Sequence, residues 1–255
     1  MSLTLTSLKN IPLIRRGDNL ADIVLKSLHN MELELQDNDI LVLAQKIVSK
    51  AEGRAVNLVT VTPSPRAIEL AQQTEKDPRV VELMLKESHE ILRTRVGTII
   101  VEHRLGFICA NAGIDHSNVA GTGNADEEWV LLLPEDPDRS CALIRKEIES
   151  VTGKRIGVVI VDSHGRAWRN GTVGVAIGMS GIPSVVDKRG DRDLFGYTLR
   201  VTVIGTADEL AAAASLMMGQ ASEGKPVVHV RGFPYPLGEG SLKELIRPKD
   251  QDMFR

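Results

Sequence analysis

Neither of the glycine-rich signatures that cradle phosphates at a strand-to-helix junction occurs in this chain. No G-x-G-x-x-G follows a first strand, and no loop ends in Gly-Lys-Ser/Thr. A Rossmann dinucleotide site and a P-loop are therefore excluded, and any nucleotide site must be built another way. Cysteine is scarce: Cys109 and Cys141 are the only two, without metal-type spacing, and they read as core residues of a protein kept in a reducing compartment. Long apolar runs are missing too. The uncharged stretch from Leu210 to Met218 falls far short of the roughly 20 residues that a spanning helix needs. The first ten residues alternate apolar and polar and lack both a basic n-region and a long apolar core, so they predict a strand and not a signal peptide. A net charge of only -3 leaves no broad face for nucleic acid, although a local basic pocket for a small anion is compatible with it. No fixed-period repeat, coiled coil or low-complexity linker appears. A cytoplasmic protein that engages neither nucleic acid nor membrane is the expectation.

What is present is an ordinary globular composition, 42% hydrophobic and 25% charged over 255 residues, enough to bury about 70–75% of the unfolded surface. Strands are predicted at Ile40–Ala44, Glu128–Leu133, Ile156–Val161, Tyr197–Ile204 and Val227–Val230, with a short one at Val173–Ile177 inside a glycine-rich passage. Thr98–Ala110 reads as a hairpin turning near His103 and Arg104, with Gly106 relieving the return strand. Helices are predicted from Pro65 towards Glu75, from Arg79 to Ser88 beyond the Asp77-Pro78 break, and from Pro137 to Val151 between an Asp136 cap and a Gly153 terminator. A last helix covers Ala207–Gly219, with Thr206 and Glu209 as a capping box. Strands outnumber helices and the βαβ signal is intermittent. The fold class is α+β or mixed α/β with mixed and antiparallel sheets, and residues 1–255 form one module, with two closely packed subdomains as its inner organisation.

Two polar turns carry the chemistry. Asn111-Ala-Gly-Ile-Asp115-His-Ser-Asn118, followed by Gly121-Thr-Gly123, sets two short polar side chains three residues apart in a glycine-rich turn after a strand. Such a turn can gather a carboxylate, an amide and bare backbone N–H groups around a phosphate–metal centre. Val158-Val-Ile-Val-Asp162-Ser163-His-Gly-Arg166 ends an apolar run in a carboxylate and a hydroxyl, where an open α/β protein holds a metal–nucleotide complex. On local sequence alone an Asx-type turn at Asp115 and Asn118, and a turn or helix-start pair at Asp162 and Ser163, are open alternatives. Lys50, with Gln45 and Lys46, is either a phosphate contact or a solvated lysine after a strand.

Taken in order, Ile11-Pro12-Leu13-Ile14, Gln45-Lys46 with Lys50, the Asp115 and Asp162 turns, Trp168-Arg-Asn-Gly171, Gly174 to Gly178, Asp187 to Gly196 and Met218 to Pro226 resemble the coenzyme F420-0:L-glutamate ligase family along nearly the whole chain. The resemblance implies a GTP-dependent ligase, homodimeric, that joins L-glutamate to F420-0 or a close variant by an amide bond, with further γ-glutamyl additions in reach. It implies two divalent ions, Mg²⁺ or Mn²⁺, held by Asp115, Asp162, Ser163 and Gln220, and a place for K⁺. Ser163 stands where family members often have threonine, which keeps the oxygen and loses a methyl that stiffens the rotamer. The nucleotide is expected beside Ile11, Pro12, Leu13, Ile14, Gln45, Lys46, Lys50 and Asn118, and beside Gln220, Ala221, Ser222, Glu223, Gly224 and Lys225. Arg166, Trp168 and Arg169 are expected at the acceptor substrate. At this length the chain resembles the ligase module alone, without the flavin-reductase-like domain fused to it in some relatives. Competing readings are a deazaflavin-binding or dimeric scaffold module, and a related carboxylate–amine ligase acting on another phosphorylated acceptor.

Overall fold

The computed structural model describes residues 2–119 and 128–253, so the Gly121-Thr-Gly123 turn lies outside the described residues. In chain order the elements are β1 (Thr4–Ser7), α1 (Leu20–Asn30), β2 (Ile40–Ala44), α2 (Gln45–Ala51), β3 (Ala55–Asn57), α3 (Pro65–Thr74), α4 (Pro78–Lys86), β4 (Ser88–Arg95), β5 (Thr98–His103) and β6 (Ile108–Ala110). There follow β7 (Trp129–Leu131), α5 (Pro137–Thr152), β8 (Gly157–Arg166), β9 (Arg169–Ser180), β10 (Val186–Asp187), β11 (Val203–Ile204), α6 (Thr206–Met218), β12 (Val227–Arg231) and the single turn α7 (Leu242–Leu245).

Five strands form a mixed sheet in the order β1-β12-β2-β8-β9. Only β2 and β8 run parallel; the other neighbours are antiparallel. Residues 40–43 and 157–161 are buried, which is why both strands read as unbroken apolar runs: each is covered on its two faces. Leu41, Leu43, Val158 and Ile160 pack with α1 and α5 through Val24, Leu28, Ile144 and Ile148. On the opposite face Ile40, Val42, Val159 and Val161 meet Ala207, Leu210, Ala211 and Ala214 of α6. A second core joins α3 and α4 to the β4-β5-β6 sheet and the β3-β7 ribbon through Leu70, Val81, Met84, Ile99, Val101 and Val130. Phe107 packs against this core and against the α1/α5 side of the main sheet. Each fully buried aliphatic side chain contributes about 1.5–3 kcal/mol. The mixed α/β class, with neither Rossmann nor P-loop topology, is as the sequence predicts. Among the described residues no helix is long and apolar enough to cross a membrane.

Several boundaries follow the local chemistry. Asp136 caps α5 by accepting from Arg139 N at 3.0 Å, Pro137 occupies the first turn, and Gly153 ends the helix at φ 67. The hairpin turn at residues 104–107 falls where expected, with Gly106 at φ 96. Others differ. The glycine-rich passage is mostly strand: β9 runs twelve residues as the partner of β8. Its glycines serve close packing, since a Cβ at Gly174 would lie 2.6 Å from Ser215 in α6, and one at Gly178 would lie 2.4 Å from Pro137 in α5. Of the Tyr197–Ile204 stretch β11 pairs with β10 and Thr198 makes an isolated antiparallel bridge with Arg192, within an exposed excursion whose Leu194 and Phe195 are 99% and 96% exposed. The capping box at Thr206 does not form. Gly205 is the cap, and the Thr206 hydroxyl donates instead to the Pro183 carbonyl at 3.0 Å, docking α6 onto that segment. The helix expected to reach Ser88 stops at Lys86, and β4 begins in its place.

A buried ion cluster fastens the β2 entrance to β12. Asp39, 1% exposed, receives Arg231 Nη2 at 2.7 Å and Nε at 2.9 Å, and its Oδ2 lies 2.8 Å from His229 Nε2. Burial pushes the Asp39 carboxyl up, but Arg231, His229 and the Gln36 N–H outweigh it and hold the group well below the usual carboxylate range. A carboxylate depressed in the folded state stabilises fully above its unfolded pKa of about 3.9, and the contribution is lost as pH falls through the folded value. Asp39→Asn should cost about 2–3 kcal/mol at neutral pH. The gap between variant and parent should hold from pH 7 to about 5 and narrow below about 4, measured by urea unfolding across that range.

Candidate functional site

Helix α2 starts directly where β2 ends, with Ala44 as a cap that offers no side-chain hydrogen bond. The site is built from its first two turns. Gln45, Lys46, Ser49 and Lys50 sit at i, i+1, i+4 and i+5, so they share one side of the helix while Ile47 and Val48 are buried. Ser49 Oγ donates to Gln45 Oε1 at 2.9 Å. This fixes the amide so that its Nε2 donates to Asp115 Oδ2 at 2.6 Å. Lys46 Nζ lies 2.9 Å from Asp115 Oδ1 and donates to the Ser117 hydroxyl at 3.0 Å and carbonyl at 3.1 Å. Lys50 Nζ donates to the Asn118 carbonyl at 2.6 Å. One helical face therefore grips the 115–118 segment at three successive points.

The segment is held equally firmly from behind. Asn111, Ala112 and Asn118 adopt positive φ of 54, 52 and 58, and Asn111 Oδ1 accepts from Ile99 N at 3.0 Å. Gly113, at φ 62, is pressed against Leu133, which a Cβ would meet at 2.7 Å. Asp115 exchanges both backbone hydrogen bonds with Leu131, at 3.0 and 2.9 Å. The Asp115 turn is thus a rigid mount and not merely an Asx loop.

Asp162 and Ser163 lie within β8, opposite Val175 and Gly174. The sequence placed them in a turn after the strand; continued pairing with β9 carries the strand five residues further, to Arg166. Successive side chains on a strand face opposite ways, and the pair does so here. The Asp162 carboxylate meets His164 Nε2 at 3.0 Å, while Ser163 Oγ donates to Gln220 Oε1 at 2.7 Å in the loop after α6. That loop reaches the site because Pro226 O accepts from Ala44 N at 2.8 Å and Ala221 O accepts from Asn118 Nδ2 at 3.1 Å. Glu223 folds back onto Ala221 N at 2.8 Å.

Asp162 is one of the groups that set the charge state of Asp115. Burial pushes the Asp115 carboxyl up, Lys46 pulls it down, Asp162 pushes it up again, and the Gln45 amide pulls it down; the result is raised. Lys50 is lowered by burial and by Lys46, against the pull of Asp115. Cys109, buried nearby, is pushed up to about 12 by burial and by Asp162, so it behaves as a core residue. Behind Asp162 the His164 ring rests on Phe107 at 5.1 Å, and Phe107 stacks on His103 at 5.2 Å with a 6° interplanar angle.

Asp115, Asn118, Gln45, Lys46, Lys50, Asp162, Ser163, Gln220 and Ala221 are thus tied into one constellation. Ser222, Glu223, Gly224 and Lys225 lie on its exposed loop. Ile11 and Ile14 pack into the main core while Leu13 is 89% exposed. The Ile11–Ile14 stretch shares that core with Ile47 and Val48 of α2, and just beyond it Gly17 N donates to Ala51 O at the end of α2 at 2.8 Å. Arg166, Trp168 and Arg169 are not gathered. They occupy the tip of the β8–β9 hairpin, where Arg166 bonds the Asn170 and Gly171 carbonyls and Trp168 is 89% exposed at φ 62. Ser49, Ser117 and His164 join the site without having been singled out; the i, i+4 spacing of Gln45 and Ser49 was the available signal for the first.

Among the described residues no group of three His, Cys, Asp or Glu side chains is arranged to hold a metal ion. The donors here are of another kind: two carboxylates, Asp115 and Asp162, the second of which raises the first, with a hydroxyl and an amide oxygen, Ser163 and Gln220, already within 2.7 Å of each other. An all-oxygen set suits hard divalent cations such as Mg²⁺ or Mn²⁺.

With this geometry in place, comparison with known proteins is specific. The family model for F420-0:gamma-glutamyl ligase matches residues 9–232. The coenzyme F420:L-glutamate ligase of Methanothermobacter thermautotrophicus is 44% identical over 257 residues, covering 100% of both chains. That of Methanocaldococcus jannaschii is 44% identical, covering 96% of this chain and 94% of the relative. The protein of the same name from Archaeoglobus fulgidus is 42% identical, covering 97% and 94%. The chain belongs to the F420-0:gamma-glutamyl ligase family.

Proposed function

We propose that this protein joins L-glutamate to coenzyme F420-0 at the expense of GTP, and that residues 1–255 act as one ligase module in the cytoplasm. The observation that carries the reading is the pair Asp115 and Asp162, raised from two different parts of the fold, electrostatically coupled, and flanked by Lys46 and Lys50. A carboxylate is a poor acyl donor to an amine at neutral pH, so it must first acquire a leaving group. The terminal carboxylate of the acceptor takes the γ-phosphoryl group of GTP, and GDP departs. The glutamate α-amine, in its neutral form, then attacks the acyl carbon, forming the C–N bond as the C–O bond to phosphate breaks and giving up one proton to the departing phosphate. Such chemistry needs charge compensation and alignment more than a protein nucleophile.

Lys46 and Lys50 supply fixed positive charge to the phosphates, and Gln45 and Ser49 keep Asp115 in place. The nucleotide lies along Ile11–Ile14, Gln45, Lys46, Lys50, Asn118 and the Gln220–Lys225 loop. Arg166 and Arg169 hold the anionic groups of the acceptor, and Trp168 offers an aromatic wall to its deazaflavin. Asp115, Asp162, Ser163 and Gln220 would hold two Mg²⁺ or Mn²⁺ ions, with K⁺ as a further ion. Such ions supply Lewis-acid neutralisation of the phosphoryl oxygens. The working assembly is a homodimer, whose partner covers the exposed Leu194, Phe195 and Val201 of the excursion between β10 and β11.

Incubation with F420-0, L-glutamate, GTP and Mg²⁺ or Mn²⁺ should give a product heavier by one glutamyl unit, with GDP and phosphate in equal amounts. Intact GTP and no mass gain in a folded preparation would sink the reading. Tight F420 binding indifferent to GTP and metal would favour a binding module instead, and turnover only with another phosphorylated carboxylate would identify a related ligase. Asp115→Asn and Asp162→Asn nearly keep shape while each removes one unit of charge. Each should lower single-turnover GTP consumption at limiting metal by roughly 100-fold or more, with thermal unfolding close to the parent. Near-parental kinetics would remove that residue from the centre. Light scattering should report about 56 kDa, twice the 27.8 kDa chain mass expected of a symmetric pair; a fully active monomer would reject the dimer.

A further inference from the structure

Beside the carboxylate pair, and outside the constellation described above, a cavity of about 280 Å³ opens at the edge strand β9. It is walled by the β5–β6 turn, the β8–β9 hairpin, the first turn of α6 and the C-terminal segment from α7 onward. Its volume lies just below the range of about 300–1,000 Å³ that holds drug-sized ligands, so it suits a molecule of amino-acid size and not a nucleotide or a deazaflavin.

Its polar lining has direction. Asp208, in the first turn of α6, spends one oxygen on Ala176 N at 2.9 Å, and among the described residues its other oxygen accepts nothing. Burial raises its carboxyl, against the opposing pull of the Ala176 N–H and of His164, which lines the same cavity. From the C-terminal segment comes Arg247, a guanidinium that makes no hydrogen bond or ion pair among the described residues, with Asp252 lining the same side. Between these ends Phe107, Leu245 and Ile246 provide an apolar wall. A carboxylate at one end and an unpartnered guanidinium at the other match a zwitterion, with ammonium on Asp208, carboxylate on Arg247 and methylenes against the wall. The orientation is fixed by His164, which lines the cavity at the Asp208 end and puts its Nε2 3.0 Å from Asp162. The amine end therefore faces the reacting centre, separated from Asp162 by a single imidazole ring.

We infer that this cavity is the subsite for the amino acid whose amine is acylated, with Asp208 receiving the α-ammonium and Arg247 a carboxylate. The inference rests on the ligase reading above, and its test separates the two. Asp208→Asn keeps the acceptor for Ala176 N while removing the charge; Arg247→Leu removes a guanidinium that holds nothing else together. With the full-length, metal-supplied enzyme, KM for L-glutamate should rise roughly tenfold or more in each variant, the scale of a lost charge-assisted hydrogen bond. KM for GTP should stay within about twofold. Hydroxylamine, a small amine that needs no subsite, should still trap the activated acceptor as its hydroxamate at a near-parental rate. Arg247→Lys should recover part of the affinity for glutamate.

Unchanged KM for glutamate in both variants overturns the assignment. So does a parallel loss of glutamate coupling, GTP affinity and hydroxamate formation, which marks a structural role. A parent enzyme that yields neither amide nor GTP-dependent hydroxamate removes the ligase reading, and the subsite with it.

Discussion

The parallel pairing of β2 with β8 is the constraint on which the site depends. Its register sets Ala44 opposite Val161, so the next residue on each strand, Gln45 and Asp162, emerges at the same end of the sheet. Parallel strands present their carboxyl ends together, and that is where open α/β sheets leave a crevice for ligands. Here the two strands leave it differently. β2 turns at once into α2 and delivers a helical row of polar side chains; β8 continues outward in a hairpin and delivers Asp162 and Ser163 on opposite faces. The antiparallel β12 on the far side of β2 adds the third contribution, since the loop entering it carries Gln220 and Ala221 past the same end.

The cost of this convergence is like charge. Asp115 and Asp162 are brought close in a partly desolvated place, and the fold counters that locally with Lys46 and with neutral donors from Gln45. Burial and then Lys46 in turn disfavour the charge on Lys50. Two carboxylates and two ammonium groups thus stand in mutual tension across one helical turn. Such an arrangement is poorly suited to structure alone and well suited to a polyanion and hard cations, which relieve both repulsions when they bind.

How far the chain could be read in advance depended on whether the signal was local. Asp136-Pro137 and Gly153 bracket α5 by cap chemistry that any context preserves, and the Thr98–Ala110 hairpin announces itself by alternation and Gly106. The apolar runs of β2 and β8 were equally plain. Three things were not legible. Helix α2 is short, and its apolar Ile47 and Val48 follow a buried strand without a turn signal, so its polar face was read as a tail after the strand. The glycines of β9 look like loop residues because what they accommodate, α5 and α6, is distant in sequence. Thr206 and Glu209 have the spacing of a capping box, but a tertiary acceptor, the Pro183 carbonyl, claimed the hydroxyl. For the site, the two acidic turns were visible as motifs, whereas the grip of Gln45, Lys46 and Lys50 on residues 115–118 and the bond from Ser163 to Gln220 are long-range contacts with no local trace.

The two carboxylates stand on different cores. Asp115 follows Ile114, which belongs to the core of α3, α4 and the smaller sheets, and it is locked to Leu131 of that same core. Asp162 extends from β8, whose Val158 and Ile160 belong to the main sheet. Their separation is therefore set by how the two cores pack, and no single element fixes it. Close-packed cores move as bodies and transmit sub-ångström shifts, so contacts that bridge them matter more to the site than contacts within either. Two bridges are evident. Gln45 and Lys46 reach from the end of β2 to Asp115 by charge and hydrogen bond, and Phe107 reaches from the β5–β6 turn to both cores while supporting the His164 ring behind Asp162. The polar bridge rests on the charges of Lys46 and Asp115, whereas the apolar bridge rests on packing that no change in those charges removes, so Phe107 ties the two cores together whatever the state of the ion pair.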